Sequence, residues 1–350
     1  RRPSGLGTTW LGEREWTALH LKAPGLREAS IASSLAPQNE MPLRREARHV
    51  PPPSVFLPEQ PESCEGDGRK ATWRFQLGLD RHPWLLHHLV DERPTVPGTF
   101  LMAMAVEATH RLAPRQIPVR ITDMVLSRFL RAPLSHWPRP VVITASREAS
   151  YVHVTIASPP QGAVPSQEYT RMKVWFAEAR APRERLASLS QPTQTVEVPD
   201  VYRLNGPVSL SGVFANMRRV SLHEDGGSAS LLLPPIDAPL DGLPIPSIAL
   251  DALLRTVILD GRRPASLAIV VPTAIASVEL LELGSDKAWR EHWGDGVTLR
   301  HWSRSAGGQC VAIAPDGTVL LRMSGISTAV RATYEREQKR WSRPMLPSSV

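Results

Sequence analysis

Residues 82–114 read HPWLLHHLVDERPTVPGTFLMAMAVEATHRLAP, and their interpretation decides the fold. From Phe100 to Val106 apolar side chains cover nearly every face of an expected helix. A helix that is apolar all round is buried. Pro97 stands at its entry, where a missing N–H costs nothing. The adjacent pair His87 and His88 lies a few residues upstream. Adjacent histidines in an apolar loop are ordinarily packing or turn residues, so the pair alone does not mark a site.

Working outward, TWRFQLGL before the loop alternates like a half-buried strand. After the helix come VRITDMVLSRFL, PVVITAS, YVHVTIAS and YTRMKVWFAEA, all strand-like. A run of strands after one swallowed helix implies a sheet curled around that helix. Residues 180–200 read as a linker, and the order then restarts. NMRRVSLHEDGGSASLLL predicts a hairpin with a DGG turn, and IPSIALDALLRTVILDG predicts a second helix between Pro246 and Gly261. The strands LAIVVPTAIASVELL, VTLRHW, QCVAIA and TVLLRMSGI follow, with APDGT as a hairpin turn. The expected fold class is α+β with one architecture used twice: two antiparallel sheets, each wrapped around a central helix. The expected boundaries are a linker or tail of a preceding module at 1–65, an N-terminal half at 66–190, a C-terminal half at 191–334, and a frayed basic tail at 335–350.

The bulk numbers narrow the function. With 350 residues and 42% hydrophobic content the chain can bury a sizeable core. Its longest apolar runs are too short to span a bilayer, and RRPSGLGTTW lacks the apolar core of a signal peptide. The expectation is a cytoplasmic location, as part of a longer chain. Two distant cysteines, Cys64 and Cys310, form no thiolate zinc motif. The net charge of +7 suits an acidic partner. The basic residues are scattered, however, and no nucleic-acid-binding motif is present.

These stretches resemble the dehydratase domain of type I polyketide and polyunsaturated fatty acid synthases, a double hot-dog fold. HPWLLHH supplies His82, Pro83, Leu85 and His88 of that family's histidine motif, and Pro97 completes it. IPSIALDALLR supplies Pro246, Leu250 and Asp251 of its second-helix motif. The sequence departs from the pattern in four places. His87 stands for an Asp, Glu92 for a turn glycine, and Arg255 for a Gln; LSGVF keeps Gly212 and Phe214 of a Tyr-Gly-Pro-x-Phe stretch but lacks its proline.

The resemblance implies elimination of water from a 3-hydroxyacyl thioester carried on the phosphopantetheine arm of an acyl carrier protein. His88 would be the base and Asp251 the acid. Pro97, Gly98, Gly212, Phe214 and Arg255 would border the substrate, with the helix start at Gly98 facing the thioester oxygen. No metal or redox cofactor is implied. The implied partners are a carrier domain, neighbouring synthase domains and a second copy of the chain, with neither nucleic acid nor membrane. Two further readings stay open. Arg255, one helical turn from Asp251, can hold that carboxyl ionised, which leaves either a degenerate structural domain or a double-bond isomerase or cyclisation variant. Asp251 could also be a helix-start residue matched to the dipole.

Overall fold

The computed structural model describes residues 54–134, 137–180, 182–186, 195–235, 240–260, 265–282, 284–303 and 308–342. The expectations for residues 1–53 and 343–350, and for 181 and 187–194 of the 180–200 linker, lie outside these residues.

The N-terminal strands are β1 (Ser63–Glu65), β2 (Lys70–Leu77), β3 (His88–Val90), β4 (Arg93–Pro94), β5 (Ile117–Leu126), β6 (Arg139–Arg147), β7 (Tyr151–Ala157) and β8 (Glu168–Ala177). Helix α1 (Gly98–Leu112) lies between β4 and β5. The C-terminal strands are β9 (Thr195–Glu197), β10 (Val208–Leu210), β11 (Met217–His223), β12 (Gly226–Leu231), β13 (Ser266–Leu280), β14 (Thr298–Trp302), β15 (Gln309–Ile313), β16 (Val319–Glu335) and β17 (Arg340–Ser342). Helix α2 (Ser247–Arg255) precedes β13, and α3 (Asp286–Trp293) follows it.

The strands pair in the order β1-β2-β6-β7-β8-β5-β13-β16-β15-β14-β12-β11-β9, with β17 on β16, and every pairing is antiparallel. The two curled sheets thus join edge to edge where β5 meets β13. β2 alternates buried and partly exposed positions as its sequence requires. Helix α1 is buried on nearly all sides, packing on β5–β8 and touching α2. Helix α2 is buried throughout and is shorter than the sequence pattern implied, because a 3-10 turn takes over at Thr256–Ile258.

A separate three-stranded sheet, β10-β3-β4, links the halves: Leu210 of the C-terminal half is paired with His88. The β3–β4 hairpin turns through Asp91 and Glu92, at φ 50° and 62°. Positive φ at both central residues is the type I′ turn, whose twist suits a hairpin. The backbone therefore keeps the turn a glycine would make easily, with Glu92 strained in it. Asp91 is tied by Arg131 at 3.2 Å and by Arg331 of β16 at 2.8 Å, which holds the strained turn in place.

Two segments differ from expectation. Residues 54–57, expected as linker, dock on α1. The buried Glu107 carboxylate accepts from Ser54 Oγ at 2.6 Å and from the amides of Val55, Phe56 and Leu57 at 2.8–3.1 Å. Burial pushes the Glu107 carboxyl upward, while these donors pull it back. The start of the basic tail is ordered: β17 folds onto β16, Trp341 packs on Tyr334 at 5.0 Å, and its indole N–H donates to Leu204 O at 3.2 Å.

Candidate active site

His88 opens β3 directly after a 3-10 turn at Pro83–His87. Its residue is 8% exposed. Nδ1 lies 2.8 Å from the carbonyl oxygen of Thr95. A carbonyl only accepts, so Nδ1 carries the proton, and the neutral ring keeps its lone pair on Nε2. Burial lowers the His88 pKa, the Asp251 carboxylate and the Thr95 carbonyl raise it, and Arg255 lowers it again; the net direction is down. The two groups taken from opposite halves of the sequence therefore sense each other in the folded chain.

Phe214 is what the C-terminal half sets against that imidazole, ring centroids 5.3 Å apart. It also meets Phe100 at 5.7 Å and Trp84 at 6.5 Å, while Trp84 stacks on Phe100 at 4.5 Å. Trp84 and Tyr202 are buried in the core. His82 is likewise structural, bonded to Gly78 O at 3.0 Å among Phe56, Phe75 and Trp84.

Asp251, 6% exposed, sits in the second turn of α2. The helix-start reading of this residue fails, because another carboxylate occupies that role. Asp286 accepts from the amides of Ile248 at 2.9 Å and Ala249 at 2.8 Å. It is fully buried, and desolvation pushes its carboxyl up to about 7 against the pull of those two amides.

Arg255 lies beside Asp251, Nε to Oδ2 at 3.3 Å, both side chains buried. The angle is wrong for a hydrogen bond, and neither atom has another partner among the described residues. The rest of the guanidinium is engaged elsewhere. It donates to Asp200 Oδ2 at 3.0 Å, to Phe214 O at 3.1 Å and to Asn216 Oδ1. Asp200 is thus the main counter-charge of Arg255, and the Asp251 oxygen that accepts no hydrogen bond is the Oδ2 lying against Arg255 Nε.

Pro97 is buried at the N-cap of α1, its carbonyl receiving the amides of Phe100 and Leu101. A Cβ on Gly98 would meet Leu126 at an ordinary 3.5 Å, so packing does not demand glycine there. Gly212 is different: it has φ +50°, and a Cβ would lie 2.7 Å from the His87 ring. That close approach explains the glycine without a ligand. His87 is exposed and bonded to Ser211 Oγ at 3.0 Å.

Two cavities, of about 510 and 490 Å3, are lined by neither His88 nor Asp251. Both side chains are buried, His88 at 8% and Asp251 at 6% exposure. Among the described residues no three His, Cys, Asp or Glu side chains cluster as metal ligands, and no helix is long and apolar enough to cross a membrane.

With this geometry in view, residues 62–159 match the family model of the polyketide synthase dehydratase domain. The chain resembles polyketide synthase dehydratase domains in sequence and in fold. A dehydratase domain from the CurF module of curacin polyketide synthase superposes with a TM-score of 0.63 at 16% identity, covering 79% of this chain and 98% of that one. The dehydratase domain of a mycocerosic acid synthase-like synthase gives 0.54 at 19% identity, covering 84% and 98%. Both show the double hot-dog fold. Highly reducing polyketide synthase 17 of Metarhizium anisopliae is 38% identical over 63 residues, 17% of this chain and 2% of that synthase. The aligned stretches are therefore small parts of far larger relatives.

Sequence reasoning missed Asp200, Asn216 and Asp286. Asp286 carried a signal: Ser285 before it caps α3, accepting from Ala288 N at 3.3 Å. Asp200 and Asn216 are loop residues whose link to Arg255 exists only in three dimensions.

Proposed function

We propose that this chain is a dehydratase domain that removes water from a 3-hydroxyacyl thioester presented by an acyl carrier protein, within a synthase of neighbouring domains. The observation that carries the reading is that the buried Asp251 carboxyl of one half acts electrostatically on the buried His88 of the other, whose lone pair is on Nε2.

Nε2 of His88 takes the proton from C2, a step for which a positioned base supplies roughly 10²–10⁴-fold. The C3–O bond breaks as electrons from the C2–H bond form the C2–C3 double bond. Asp251 in its protonated form gives its proton to the departing hydroxyl, which leaves as water. The amides at the start of α1, open to approach at Gly98, polarise the thioester carbonyl. Only protons move, so the step as written calls on no redox carrier.

Arg255 opposes part of this scheme, because it sets a cation 3.3 Å from the carboxyl that must give up a proton. Its engagement by Asp200, Phe214 O and Asn216 limits that effect. The 3.3 Å contact favours a second reading, in which Asp251 stays ionised and the domain shifts double bonds without eliminating water. Product analysis separates the two. On the first reading the chain converts a 3-hydroxyacyl thioester to the 2,3-enoyl product and His88→Ala abolishes it. Turnover of an enoyl thioester to its isomer, with the hydroxyl substrate untouched, would establish the second. Full enoyl formation by His88→Ala would refute both.

A further inference from the structure

We propose that the cavity lined by Arg203, Arg218 and Arg219 binds a phosphate-bearing small molecule. In a regular strand successive side chains point to opposite faces. β11 breaks that rule: against β12, its register advances from Arg218 to Ser221 while the partner advances from Ser230 to Ser228. The extra residue is a bulge, with Arg219 at φ 49° and its carbonyl held by Ser221 Oγ at 3.2 Å. Arg218 and Arg219 are consequently both exposed, whereas Val220 and Ser221 are both buried. A bulge re-aims side chains, and a left-handed arginine is a strained way to place two guanidinium groups on one surface.

Arg203 completes the set from a separate element. It ends the 3-10 turn Val201–Arg203, anchored by the buried Tyr202 and by Asp200 Oδ1, which accepts from Tyr202 N at 3.2 Å. The three arginines line one cavity of about 490 Å3, a volume within the range of small-molecule sites. Among the described residues none of the three makes an ion pair. Two carboxylates share the lining, Asp200 and Glu197. Asp200 is spent on Arg255 inside the protein, which leaves Glu197 as the opposing charge. Three guanidinium forks offer more donors than a carboxylate can accept, and their geometry suits the oxygens of a phosphoryl group.

Neither His88 nor Asp251 lines this cavity, and the test reads binding, not turnover. Calorimetric titration of the whole chain uses inorganic phosphate and 4′-phosphopantetheine, with pantetheine and chloride at matched ionic strength as controls. Saturable binding of the phosphate-bearing probes at least tenfold tighter than of the controls is expected. Equal affinity for both probes identifies free phosphate as sufficient; tighter binding of phosphopantetheine identifies an arm-borne phosphate. Arg218→Ala with Arg219→Gly should weaken binding tenfold or more without lowering Tm, because glycine adopts the left-handed backbone freely. Arg203→Ala, on another element, should produce the same loss. Absence of saturable phosphate binding, or binding unchanged in these variants, overturns the proposal.

Discussion

Removing the Asp286 carboxylate tests how α2, and with it Asp251, is held. In Asp286→Ala the amides of Ile248 and Ala249 lose acceptors at 2.9 and 2.8 Å. Each buried donor left unsatisfied costs about 1–3 kcal/mol, so the loss is about 2–4 kcal/mol after partial relaxation. Asp286→Asn keeps one acceptor and should cost about half as much. The pH dependence separates the carboxylate from a packing effect. The folded carboxyl is pushed up to about 7 from an ordinary 3.8, chiefly by burial. Between those values the unfolded chain has lost its proton and the folded chain keeps it, so stability from this group is greatest below pH 3.8 and falls as pH rises through 7. The span is on the order of a few kcal/mol. Asp241, Lys287 and Arg290 are the charged neighbours, and the asparagine variant leaves all three in place. Urea unfolding from pH 4 to pH 8 should show the wild-type advantage over Asp286→Asn shrinking with pH. A constant difference across that range, or an alanine cost below about 1 kcal/mol, would refute the reasoning.

Three further outcomes follow. Because burial lowers the His88 pKa, the acidic limb of the kcat/KM profile for enoyl formation should lie below 6.5; a limb above that value would contradict the assigned environment. Arg255→Gln leaves the 5%-exposed Asp200 carboxylate unpaired and should cost about 3–5 kcal/mol in denaturant melts, with Asp200→Asn/Arg255→Gln recovering much of it. Glu92→Gly relieves a left-handed residue worth about 1–2 kcal/mol against about 0.5–1 kcal/mol of added chain entropy, so Tm should rise modestly.

Residues whose neighbours are set by periodicity were legible in the sequence. The alternation of β2, the all-round apolar surface of α1 and the DGG turn each fixed an element, because burial imposes those patterns directly. Asp251 and His88 were legible only through motif resemblance. What escaped was long-range polar satisfaction. Nothing about Glu107 in an apolar helix shows that residues 54–57 supply its donors. Helix α3 is mostly polar and short, so its pattern was weak, yet it supplies the cap of α2 from 37–38 positions away. The turn at Glu92 was expected, but its type I′ geometry was not, because Asp-Glu is not a residue pair that prefers it. Arg255 was seen beside Asp251, but its counter-charge at Asp200 was not, and that changes what the contact implies for Asp251.

The central claim is that an imidazole from one half and a carboxyl from the other act on a single substrate. Its most direct measurement is a double-mutant cycle on enoyl formation from a 3-hydroxyacyl thioester, with wild type, His88→Ala, Asp251→Asn and the pair. Each single variant should lose roughly 10²-fold or more, and the pair should fall little below the worse single variant, as groups acting in one step do. Independent, multiplying losses, or full activity in either single variant, would contradict it.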